Sequence, residues 1–219
     1  MTLNYGLIVD LSNSVLPIAA RKPERLPSFL NQREINLLLK SCDKRTVIGK
    51  RNYAILMLLS LLGIRAAEVT NISLSDIDWQ NGLILIRGKG LRKSFFPMCQ
   101  ELGDCLVAYL LKARPKCSNM YFFVQSKSPH EKLQPHVISR IVRTSLEYSK
   151  LNPRKKGAHL LRHSLATNML QKGASLQEIA MVLGHQSINT TAIYAKLDFN
   201  KLNELALPWP KNLKFGGVV

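Results

Sequence analysis

From Asn31 onward, apolar side chains recur every three or four positions, so that Ile35, Leu38, Leu39 and Cys42 share one side of a helix. Asn31 with Glu34 three residues later forms a capping-box pair at its start, and the compact domain is expected to begin there. A second helix is expected over about 52–62. It is apolar nearly all round, which marks it as central to the core, and Gly63 can take the left-handed conformation that ends it. Leu83-Ile84-Leu85-Ile86-Arg87 and Ser94-Phe95-Phe96 read as the strands of a β-hairpin around Gly88-Lys89-Gly90. Beyond Pro97 the helical period returns over about 101–113, 136–150, 159–172 and 176–183. The third of these ends at Gly173, and the last opens with the pair Ser175 and Glu178 and closes at Gly184. Short helices are expected around Tyr194 and, capped by Asp198, near 199–206. In residues 1–27, Pro17, Pro23, Pro27 and Arg21-Lys22 break any sustained period, so this stretch reads as a linker or residual N-terminal arm ahead of a domain over 28–219. The expected class is α+β, mainly α, with a small β-hairpin or sheet.

Composition narrows the partners. The 219 residues are 46% hydrophobic and 21% charged, as in packed domains and unlike disordered chains. Lys and Arg number 31 against 14 Asp and Glu, a formal charge of +17 that calls for an anionic partner, with nucleic acid foremost. Cys42, Cys99, Cys105 and Cys117 show no C-x-x-C spacing, so neither a zinc site nor a redox motif is expected. Ala54–Ile64, the longest apolar stretch, is interrupted by Ser60 and Gly63 and falls short of the about 20 residues that span a bilayer. No secretion signal is evident, and a cytoplasmic location is expected.

Five pieces then stand in order: Gly63-Ile64-Arg65-Ala66-Ala67-Glu68, Gly88-Lys89-Gly90, His159-Leu160-Leu161-Arg162-His163, Leu183-Gly184-His185, and Tyr194 in a Thr-Thr-Ala-Ile-Tyr-Ala context. Singly they are weak signals, but together and in this order the chain resembles the tyrosine recombinase, or phage integrase, family over roughly residues 28–207. The resemblance implies DNA cleavage and rejoining at specific sites, with Tyr194 as nucleophile and Arg65, Lys89, His159, Arg162 and His185 around it. It also implies assembly as a tetramer on paired sites in double-stranded DNA.

The residue types suit that task. A phenolic oxygen attacking phosphorus leaves a 3′-phosphotyrosyl link that conserves the bond energy, so no ATP is needed. Arg65 and Arg162 offer planar, permanently charged donors to two phosphate oxygens. Lys89, between two glycines at the hairpin tip, is either a general acid for the departing 5′ oxygen or a solvated side chain. His159 is expected to take the acid-base role, and His185 either joins it or caps a helix end. His163 is expected to be structural. Glu68 would meet Arg65 and orient it. Arg92, Lys93, Arg140 and Arg143 are candidate phosphate contacts or simply solvated charges. Neither metal nor cofactor is expected, because cationic side chains can carry the electrostatic load.

Against the family pattern, the N-terminal helical domain that grips the other face of the duplex is expected to be missing, since only about 27 residues precede the catalytic domain. The chain is expected to be either a truncated product or a minimal recombinase similar to the small fimbrial invertases, and to bind DNA weakly by itself. Two other readings remain open: a non-catalytic DNA-binding relic, and a type IB topoisomerase with the same chemistry.

Overall fold

The computed structural model describes residues 28–88, 90 and 93–184. Lys89, Arg92, His185 and Tyr194 lie outside the described residues, as do the expected arm over 1–27 and the helices around Tyr194 and near 199–206.

The first helix, α1 (Gln32–Lys40), opens on the expected capping box: the Asn31 side chain accepts from the Glu34 N–H at 3.0 Å, and the Glu34 carboxylate accepts from the Asn31 N–H at 2.8 Å. The central helix, α2, spans Val47–Leu62 and so begins more than a turn earlier than its apolar pattern suggests. Its start is made by Thr46, whose hydroxyl accepts from the Gly49 N–H at 2.9 Å. A Cβ at Gly49 would lie 1.9 Å from the carbonyl oxygen of Asp43, so the preceding turn fits against this helix only because the position is glycine. The β-branched pair Val47-Ile48 and this glycine are weak helix formers, which hides the first turn from a reading by propensity.

Residues 54–60 are all buried. Ile55, Leu56, Leu58 and Leu59 have no exposed surface, and burying each such side chain contributes about 1.5–3 kcal/mol. Helix α2 packs between α4 (Gln100–Lys112) and α6 (Ala158–Gln171), while α3 (Ala66–Asn71) packs on α5 (Pro135–Tyr148). Tyr109, Phe122 and Phe123 fill the end near α4 with ring centroids 5.0 to 5.7 Å apart.

The hairpin is present as β2 (Leu83–Arg87) and β3 (Lys93–Pro97), antiparallel, with Ile84 opposite Phe96 and Arg87 opposite Lys93. A two-residue strand, β1 (Ile77–Asp78), adds an edge by pairing with Leu83 and Ile84. It follows a 3-10 turn over Leu74–Asp76. The sequence pattern does not announce β1, since two residues in a polar stretch carry no period. The molecule is thus mainly helical with one small antiparallel sheet.

Helix α7 (Leu176–Leu183) keeps its Ser175–Glu178 capping box and ends on left-handed Gly184. It rests on α6 through Ala166, Ile179 and Leu183. Gly63, left-handed at φ +60°, sits where α2, α6 and α7 meet: a Cβ there would touch Leu165 and Leu183 side chains at 2.8 Å. Among the described residues, no helix is long and apolar enough to cross a membrane.

Candidate catalytic site

The Gly63-Ile64 turn delivers Arg65 to the N-cap of α3, in extended conformation just outside the helix. Glu68, in the first turn of α3, holds Arg65 twice: one carboxylate oxygen accepts from the Arg65 N–H at 2.7 Å and the other from Nη1 at 2.9 Å. The Arg65 side chain remains 42% exposed while that of Glu68 is 10% exposed, so the carboxylate lies beneath the more exposed arginine. Glu68 also sits where the partial positive charge of a helix N-terminus favours an anion. The expected Arg65–Glu68 contact is therefore present, made as a cap instead of across a helix face.

Arg162 enters the same corner from α6. It is buried, and it donates from Nη1 to the Gly63 carbonyl at 2.7 Å and from Nη2 to the Leu183 carbonyl at 2.6 Å. Both carbonyls terminate helices and are among the groups a helix cannot satisfy internally. Arg162 thus ties the end of α2, two residues before Arg65, to the end of α7, two residues before His185 in the sequence. This structural duty is not visible in the sequence, where Arg162 reads only as a phosphate ligand.

His159 stands exposed one turn before Arg162 on α6. His163 follows on the same side, half-buried, and burial, then the charges of His159, Lys155 and Arg162, hold its pKa below the ordinary 6.5. Arg154-Lys155-Lys156, exposed immediately before α6, form a basic run beside His159 that was legible as a charge run and not singled out.

Lys93 opens β3 and is exposed, as are Arg140 and Arg143 on α5. Arg140 is close enough to Arg51, near the start of α2, for its charge to join burial in lowering the Arg51 pKa. At 1.5 Å of rise per residue, that end of α2 is roughly 17 Å from Leu62. The structure therefore sets Arg162 against the turn that carries Arg65, with His159 one turn earlier on α6, and places Arg140 toward the opposite end of α2. A further pair escaped the sequence reading: Asp76 and Arg87, joined at 2.6 Å beside the hairpin.

The sequence model described as "Phage integrase family" matches residues 28–201, and the chain belongs to that family. A Sinorhizobium fredii protein named as an integrase/recombinase, y4rA, is 41% identical over 202 residues, which cover 92% of this chain and 49% of that one. A second from the same organism, y4gC, is 34% identical over 188 residues, covering 84% of this chain and 97% of that one. Among solved structures, the XerH site-specific recombinase in a post-cleavage complex with a palindromic difH substrate superimposes with a TM-score of 0.73 at 29% identity, over 95% of this chain and 60% of that one. The chain spans about half the length of y4rA.

Proposed function

We propose that this chain is the catalytic part of a tyrosine-type site-specific recombinase that cuts and rejoins double-stranded DNA. The observation that supports the reading is Arg162: its bonds to Gly63 and Leu183 tie the turn before Arg65 to the end of α7. A +17 charge supports DNA as the substrate, and the similarity to a recombinase held in a post-cleavage complex supports cleavage as the reaction.

In this reading the Tyr194 oxygen attacks phosphorus while its phenolic proton passes to His159. The bond from phosphorus to the 5′ oxygen breaks, and Lys89 supplies the proton that leaves it as a hydroxyl. Arg65 and Arg162, with His185, donate to the non-bridging oxygens, where loss of one such donor costs about 3 kcal/mol in the transition state. Reversal with a 5′ hydroxyl from another strand completes exchange. Neither metal nor nucleotide takes part, since these side chains supply the positive charge. Arg92, Lys93, Arg140 and Arg143 hold phosphates along the duplex, and four copies act on paired sites in the cytoplasm. Residues 1–27 form a linker into a catalytic domain over 28–219.

A duplex nicked beside the scissile phosphate tests this. The full chain should form a covalent adduct, resistant to denaturant and undiminished by a chelator, that disappears in Tyr194→Phe. Absence of an adduct over the site of a relative would favour a DNA-binding relic, and relaxation of supercoils without strand exchange would favour a topoisomerase.

A further inference from the structure

Asp76 is a carboxylate with a 1% exposed side chain, buried at the end of the 3-10 turn that follows α3. One oxygen, Oδ2, takes all of its contacts: it accepts from the Ser73 N–H at 2.9 Å, the Ser73 hydroxyl at 2.7 Å and Arg87 Nη1 at 2.6 Å. Oδ1 is buried with no hydrogen-bond partner among the described residues. The Ser73 bonds fix the carboxylate to the chain leaving α3. Its charge is then answered by Arg87, which reaches it from the last residue of β2.

The position of this pair in the sheet gives it meaning. Strand β1 pairs with β2 only at Leu83 and Ile84; continued antiparallel, the ladder would set Asp76 opposite Leu85. The chain instead turns away into the 3-10 turn, so on that side the ladder stops while β2 runs on to Arg87. On the other side lies β3, largely exposed. The Asp76–Arg87 bond is a lateral tie where the backbone ladder has ended, two residues before Lys89 in the sequence. As a device for stability alone it is poor, because a buried carboxylate loses hydration that a half-exposed partner repays incompletely.

We propose that the Asp76–Arg87 pair is the joint that fixes the Lys89 hairpin to the α3 unit bearing Arg65, making both residues positioning residues for proton delivery to the leaving oxygen. This rests on the reading of Lys89 as general acid. The joint sets the distance between the two halves of the machinery: Arg65 at the start of α3 steadies the phosphate, and the hairpin brings the proton.

The test compares single-turnover covalent cleavage, by the full chain, of a nicked duplex carrying oxygen or sulfur at the 5′ bridging position. With sulfur, the bond from phosphorus to sulfur breaks and a thiolate leaves without a proton. A thiol pKa near 8.5 makes it a good leaving group, so a defect confined to proton delivery should shrink to within about threefold of the native rate. With oxygen, Lys89→Met should lose about 10²–10⁴-fold. Arg87→Gln and Asp76→Asn should lose about 10–100-fold, and Arg87→Lys, which keeps a cation, should lose less. The three neutral variants should all recover with sulfur. If Lys89→Met does not recover, the general-acid reading falls and the joint with it. If Lys89→Met recovers while Arg87→Gln does not, or if Arg87→Gln cuts the oxygen substrate at the native rate, the joint alone falls. Asp76→Asn keeps an oxygen for the Ser73 bonds, and Arg87 is 43% exposed. A thermal melt of each confirms the fold, and Arg87→Gln alone decides the matter if Asp76→Asn is unfolded.

Discussion

His163 shows how closely a structural residue can sit to candidate chemistry. Burial and the neighbouring charges of His159, Lys155 and Arg162 place its folded pKa below 6.5. Between that lowered value and 6.5 the unfolded chain binds a proton that the folded chain refuses, so stability falls as pH drops through this window and is regained above it. Urea midpoints measured at pH 7.5 and 5.5 should therefore fall further for the native chain than for His163→Gln. Equal falls would show that His163 does not couple folding to pH. Asn31, Ser175, Gly63 and Gly184 were legible in the sequence because caps and left-handed ends depend on one residue and its near neighbours. The bonds of Arg162 to Gly63 and Leu183 were not, because they join positions 99 and 21 residues apart that only the fold brings together.

Among elements, the long apolar helices declared themselves, with only the start of α2 displaced by more than a turn, whereas β1 required a partner strand to exist. The corner where α2, α6 and α7 meet rests on Gly63 and Arg162 together. Arg162→Ala would strand two buried carbonyls at helix ends, each worth about 1–3 kcal/mol. We expect Arg162→Ala to lower the unfolding free energy by about 3 kcal/mol in addition to abolishing cleavage. Denaturant unfolding followed by circular dichroism measures it, and a stability equal to the native chain would refute the tie. Arg65→Ala, at a 42% exposed site, should cost far less stability for a comparable loss of cleavage.

For the whole molecule, charge governs. With a net +17 and half the length of y4rA, the isolated chain is expected to bind a duplex site more weakly than nanomolar at physiological salt. Its affinity should fall steeply as salt rises, and Arg140→Gln with Arg143→Gln should reduce the slope of log K against log salt by about two, one for each phosphate released. A fluorescence anisotropy titration at several salt concentrations decides it; an unchanged slope would return both arginines to the status of solvated charges.

If Arg162 holds a phosphate as proposed, its second duty at two helix ends also bears on how lost activity is to be diagnosed in relatives of this chain. A descendant that stopped cutting DNA but kept its fold would still be selected to retain Arg162, because two helix ends depend on it. Its persistence is therefore poor testimony to catalysis. Exposed His159, with no hydrogen bond among the described residues, carries no comparable obligation, and its replacement in a homologue is the more informative sign that the reaction has been abandoned.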